Sequence, residues 1–140
     1  MKFVKKILFA FILLSFSCSC TLNSQSAKNE KIAEIDVDSA KVLIAKNLTN
    51  EEFVLLDTRT RAEYEKGHLE NAVFYNYSAR DFWDQISKLD KNTTYVVYCH
   101  SGVRSGNAVK FMLENGFREA YNMTGGILAW KKAGYPVKTE

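Results

Sequence analysis

Apolar positions along the chain follow two alternating rhythms. Short continuous runs, F-V-L-L at residues 53–56 and Y-V-V-Y at 95–98, are separated by stretches whose apolar residues recur three or four apart. The first rhythm reads as a strand buried on both faces, the second as an amphipathic helix. Strands are therefore predicted at residues 32–37, 53–56, 72–77, 95–98 and 120–123. The first intervening helix is capped by Asp38 or Ser39 and carries Val42, Leu43, Ile44 and Leu48. Thr60 and Glu63 form a capping box for a short second helix that stops at Gly67. Ser78 opens a third, with Phe82, Trp83, Ile86 and Leu89 on one side. A fourth carries Ala108, Val109, Met112 and Leu113 and ends at Gly116. A last turn or two at residues 127–132 is stopped by Gly134 and Pro136. Such alternation implies an α/β domain with a mainly parallel five-stranded sheet flanked by helices, because parallel neighbours need crossovers.

This reading places chemistry. Asp57 follows F-V-L-L directly, Cys99 follows Y-V-V-Y, and Thr124-Gly125-Gly126 follows the fifth strand. In a parallel sheet all three lie at the carboxyl edge, where open α/β sheets bind ligands. The segment C-H-S-G-V-R-S-G runs from Cys99 into the next helix. Gly102 permits a tight turn in which backbone N–H groups converge, the helix N-terminus adds partial positive charge, and Arg104 adds a full one. A cysteine sulfur there is favoured as its thiolate, which is the nucleophilic form. A free cysteine is also a common small core residue; the composition of the loop is what turns the reading toward chemistry.

The N-terminus differs from the rest. Lys2, Lys5 and Lys6 precede an apolar run at residues 7–16, too short for the ~20 residues of a spanning helix. Small residues with Cys18 and Cys20 follow, so residues 1–20 read as a secretory leader. A cysteine just after such a run resembles the lipidation site of bacterial lipoproteins, with Cys18 the first choice and Cys20 the alternative. Ordinary cleavage near Ser19 or Ser26 is the competing reading. Residues 21–31 are small and polar, a tether. The net charge of +3 comes from the leader. Beyond residue 20, basic and acidic residues number 16 each, which removes the electrostatic case for nucleic-acid binding. With three cysteines in all, two of them in the leader, no disulfide framework is available, and no metal-ligand cluster is visible.

Three motifs then carry a resemblance. Residues 99–105, C-H-S-G-V-R-S, look like the active-site loop C-x-x-G-x-R-S of rhodanese-like sulfurtransferases. Residues 57–72, D-T-R-T-R-A-E-Y-E-K-G-H-L-E-N-A, are similar to the family's D-x-R-x-x-x-E-[YF]-x-x-G-H-[IL]-x-G-A, with Asn71 at the usual glycine. Residues 125–130, G-G-I-L-A-W, resemble its G-G-x-x-x-W. The resemblance implies a single rhodanese-like domain over residues 32–140. It implies a sulfurtransferase in which Cys99 attacks a donor such as thiosulfate, carries a persulfide, and passes the sulfur to cyanide or a thiol. His100, Ser101, Gly102, Val103, Arg104 and Ser105 would cradle the persulfide, and no cofactor is required. Four residues separate Cys99 from Arg104; the related phosphatases have five, so the loop resembles the sulfur-handling branch. Asp57 and Arg59 are expected to pair near the loop in a supporting role, Glu63 to serve the capping box, His68 to be structural, and Trp130 to be core or pocket wall. The expected place of action is a bacterial envelope, periplasmic or anchored by lipid. The alternative is a persulfide carrier or redox relay without small-molecule turnover.

Overall fold

β4 (Thr94–Tyr98) is the axis of the sheet. It pairs with β2 (Phe53–Asp57) on one side and β5 (Glu119–Met123) on the other. β1 (Glu34–Ile35) and β3 (Val73–Phe74) complete the order β1-β5-β4-β2-β3, with every neighbouring pair parallel. These are features of a computed structural model that describes residues 33–139. The leader, Cys18, Cys20, the tether and Ile32 lie outside the described residues. The expected α/β fold with a five-stranded parallel sheet is what the chain adopts.

Each central strand feeds two cores. Leu55 and Val96 pack with Tyr64, Leu69, Met123 and Trp130 on one face. Their neighbours Leu56 and Val97 pack with Phe82, Ile86, Val109 and Met112 on the other. Side chains alternate across a strand, so a strand covered on both faces must be apolar at consecutive positions. That is why the runs at 53–56 and 95–98 show no alternation. Helices α1 (Val37–Lys46), α2 (Arg61–Glu65) and α5 (Gly126–Lys132) cover the first face. α3 (Phe82–Ser87) and α4 (Val103–Glu114) cover the second.

Three boundaries differ from expectation. The first strand is shorter than residues 32–37 because Asp36 turns the chain and caps α1, accepting the Ser39 N–H at 2.7 Å. Asp38 and Ser39, the expected caps, lie inside the helix. The third strand reaches only Phe74, since its single neighbour β2 ends at Asp57; Tyr75 and Tyr77 still donate their N–H groups to Asp57 and Thr58. The third helix starts at Phe82 rather than Ser78, after turns that bond Ala79 N to Asn76 O and Phe82 N to Ala79 O. Phe82 and Ile86 are buried, whereas Trp83 stays 37% exposed beside Tyr77 and Phe111.

A buried ion pair locks the β2 end to α2. Arg59 Nη2 lies 2.6 Å from Asp57 Oδ2, with the carboxylate fully buried and the guanidinium 3% exposed. The remaining Arg59 donors reach Glu63 O at 3.1 Å and Gly67 O at 2.8 Å. The Tyr98 ring lies alongside, 5.6 Å from the guanidinium carbon. Asn71 takes the left-handed conformation, φ 63°, at the place where the motif prefers glycine; asparagine bears it better than most residues. We predict that Arg59→Met destabilises the fold by about 3–5 kcal/mol, because it strands the Asp57 carboxylate in the interior. Urea denaturation at neutral pH measures this, and a loss under 1 kcal/mol would refute the assigned role.

Candidate active site

The loop after β4 is folded around one sulfur atom. Cys99 is 1% exposed. Gly102 N donates to its Sγ at 3.1 Å, and Ser105 Oγ lies 3.4 Å away. Convergence of N–H groups requires the loop carbonyls to point elsewhere, and α5 takes them. Ile127 N donates to Cys99 O at 2.9 Å and Leu128 N donates to His100 O at 3.2 Å. The first N–H groups of a helix have no partner within it, so α5 and the loop satisfy each other. Gly102, at φ 98°, ends the loop as the N-cap of α4.

This docking explains the second glycine of G-G-I-L-A-W. A Cβ on Gly126, whose φ is +55°, would stand 2.4 Å from Cys99 O and 2.6 Å from His100 O. Neither carbonyl can yield, because both are the acceptors that seat α5.

The surroundings act on the Cys99 thiol in opposite directions. Burial, the largest influence, pushes its pKa up; the Ser105 hydroxyl and the N–H groups of Ser105, Ser101 and Gly102 pull it down and prevail. The thiol is thus held below its ordinary value chiefly by neutral donors at a helix start, with the Arg104 guanidinium also acting on it.

Arg104 is anchored from outside the loop. Its guanidinium grips the Glu63 carboxylate with both arms, at 3.0 and 2.8 Å. Glu63 also completes the capping box, accepting the Thr60 N–H at 3.0 Å while Thr60 Oγ1 accepts the Glu63 N–H. Arg104 chiefly, together with the two Thr60 hydrogen bonds, overcomes partial burial and brings the Glu63 pKa down to about 2. The positive charge that Arg104 brings to the loop is therefore already matched. His100 is 52% exposed, with Nδ1 3.9 Å from Glu63 Oε1, and Val103 is 69% exposed; with Ser101 they form the rim. Asp57 and Arg59 bond to each other, and Arg59 donates to Glu63 O and Gly67 O, so the pair supports α2. His68 is structural, stacked 3.8 Å from the Tyr64 ring with Nδ1 3.0 Å from Tyr64 O.

Two residues emerge that motif reading gave no such part. Glu63 doubles as the anchor of Arg104, a contact across 41 positions that no local pattern reveals. Asn122 on β5 is 4% exposed, with Oδ1 2.7 Å from Ser105 Oγ. A buried polar residue in the apolar strand at 120–123 was the only signal for it.

The model of the rhodanese-like domain matches residues 39–133. The chain belongs to the rhodanese-like family. This rhodanese-like chain is 32% identical to rhodanese-like domain-containing protein 17 of Arabidopsis thaliana, over 96% of this chain and 91% of that one. It is 31% identical to thiosulfate sulfurtransferase 18 of the same plant, over 84% and 91% respectively. Among solved structures, the rhodanese-like domain protein of Staphylococcus aureus matches with a TM-score of 0.62 and 28% identity, covering 77% of this chain and 98% of that one. Membership is consistent with sulfur-transfer chemistry in general.

Two outcomes are expected of this geometry. Gly126→Ala should destabilise the protein by about 2–4 kcal/mol, combining a left-handed backbone with overpacking; a denaturation midpoint equal to the parent's would contradict the docking. For Glu63, the folded pKa is lowered from 4.5 to about 2. Its contribution to stability is therefore complete above pH 4.5 and disappears as pH falls toward 2. Parent and Glu63→Gln should differ in urea midpoint at pH 7 and converge in acid, and a constant gap would disprove the linkage.

Proposed function

We propose that this protein is a sulfurtransferase working through a persulfide on Cys99. The observation that carries the reading is the placement of Cys99 Sγ at the focus of the loop N–H groups, with its thiol biased toward thiolate. The thiolate attacks the outer sulfur of thiosulfate. A bond forms between Sγ and that sulfur, the donor's S–S bond breaks, and sulfite leaves with its electron pair. The persulfide anion then sits against the N–H groups of residues 100–105, whose fixed dipoles stabilise its charge without reorganising. Cyanide or a thiolate attacks the outer sulfur in turn, releasing thiocyanate or a new persulfide and restoring the Cys99 thiolate. Ser105 and Gly102 contact the reacting sulfur, and Arg104, anchored by Glu63, acts on it as well. The relative named as a thiosulfate sulfurtransferase supports thiosulfate as the donor to try first. The leader-like residues 1–20 support action at a bacterial envelope, with lipid on Cys18 or Cys20.

The pairing of Arg104 with Glu63 favours a second reading, a persulfide carrier loaded by a partner. A paired arginine draws a small dianion less strongly than a free one. Repeated turnover with thiosulfate and cyanide supports the enzyme. Sulfur loaded once and passed only to a protein thiol supports the carrier.

The deciding test is a mass spectrum of the Cys99 peptide before and after thiosulfate, with Cys99→Ser as control. The parent peptide should gain one sulfur atom and the variant none, while both unfold at similar temperatures. Sulfur transfer at the parental rate by Cys99→Ser would overturn the mechanism.

A further inference from the structure

Behind the loop, a buried polar relay joins β5 to the sulfur. Ser105 Oγ carries one proton and has three acceptors within reach. These are Gly102 O at 3.2 Å, Cys99 Sγ at 3.4 Å and Asn122 Oδ1 at 2.7 Å. A hydroxyl can donate to only one of them. Gly102 O also accepts the Gly106 N–H at 2.9 Å but keeps a second lone pair for the hydroxyl. The hydroxyl is therefore shared among the sulfur, the Gly102 carbonyl and the Asn122 amide, and the amide has the shortest contact.

The two ends of an amide are nearly equal in size and opposite in role. With Oδ1 toward Ser105, Asn122 captures the hydroxyl proton and the sulfur keeps only N–H donors. After a half-turn, Nδ2 faces Ser105 and donates to Oγ. The hydroxyl proton is then excluded from that side and turns to Sγ, where a thiolate is a stronger acceptor than a neutral carbonyl. The surroundings suit both orientations. Asn122, buried apart from 4% of its surface, borders an open cavity of about 380 Å³ also lined by Ser101, Val103, Asn107 and Thr124, where that exposed edge reaches solvent. Residue 106 is glycine within α4, although glycine weakens a helix interior. A Cβ there would approach Asn122 Nδ2 to 3.2 Å, so the glycine gives the amide room.

We propose that Asn122 is a positioning residue that aims the Ser105 hydroxyl at Cys99 when the sulfur is ionised. The proposal rests on the reading of Cys99 as a poised nucleophile and adds a residue outside the loop motif. Asn122 touches Ser105, and Ser105 touches the sulfur. The charged groups around the thiol, Arg104 and its partner Glu63 with His100 at the rim, are left intact by every variant below.

The test is the pH dependence of alkylation of Cys99 by iodoacetamide, followed on the Cys99 peptide so that Cys18 and Cys20 do not contribute. Asn122→Leu keeps the approximate shape and removes both the donor and the acceptor. Without the Nδ2 donor to orient it, the hydroxyl is free to turn to Gly102 O, so the midpoint should rise by about half a pH unit, the size of one weak hydrogen bond to the charged form. Asn122→Asp offers acceptors only and adds charge, so it should raise the midpoint by about one unit or more. In a Ser105→Ala background the Asn122→Leu shift should vanish and the Asn122→Asp shift should fall by at least half. Thermal unfolding of each variant checks folding, and Asn122→Asp carries the test if Asn122→Leu does not fold. A low parental midpoint that ignores both substitutions, or a shift that survives undiminished without Ser105, would overturn this proposal alone. A parental midpoint no lower than that of a free thiol would overturn it together with the reading of Cys99.

Discussion

The hydrogen bonds from the start of α5 to the carbonyls of Cys99 and His100 are the constraint on which the site depends. A peptide unit that points its carbonyl outward points its N–H inward. By drawing two consecutive carbonyls away, Ile127 and Leu128 favour the inward turn of the loop N–H groups toward the sulfur. The exchange is mutual, since those two N–H groups are orphans of helix geometry. Close approach is needed for it, and Gly126 provides that with a backbone no side chain would fit. The third sequence motif is thus the structural complement of the first, although 26 positions separate Cys99 from Gly125.

A second chain of contacts fixes the other side of the loop. Asp57 holds Arg59, Arg59 holds the Glu63 carbonyl, and the Glu63 side chain holds Arg104. The Asp57–Arg59 link completes hydrogen bonds that burial would otherwise leave unmade, while Glu63 and Arg104 pair at the partly exposed edge. The motif at residues 57–72 is therefore a bracket running from the end of β2 to the loop after β4. Thr60 sits within it: its hydroxyl and N–H both meet Glu63, holding the carboxylate in place for Arg104. In this arrangement Asp57 and Arg59 matter to Cys99 without touching it.

What the sequence made legible divides along the range of the interaction. The continuous apolar runs at 53–56 and 95–98 announce two-faced burial, and with it the centre of a parallel sheet. From there the carboxyl edge places Asp57, Cys99 and Thr124 side by side by topology alone. The capping box at Thr60 was legible because its partners are three residues apart. The Asp36 cap was harder: Asp36 and Asp38 both have capping chemistry, and Val37 between them reads equally well as strand. The end of β3 was hidden because it depends on where β2 stops. Glu63 with Arg104 and Asn122 with Ser105 join positions 41 and 17 apart, and only the fold specifies such pairs.

These contacts together describe how the site handles charge. The two nearby full charges, Arg104 and Glu63, cancel each other at hydrogen-bonding distance. Two more, Asp57 and Arg59, cancel beneath the α2 turn. What acts most directly on the sulfur is a set of neutral dipoles, the N–H groups of the loop and the Ser105 hydroxyl, with the already paired Arg104 adding to them. Fixed dipoles stabilise an anion where they converge and lose strength quickly with distance, whereas a free cation attracts anions from far outside the pocket. A site built this way favours negative charge on the bound sulfur more than it gathers anions from solution. That suits the persulfide proposed on Cys99, whose charge would stay there between the arrival of donor and acceptor.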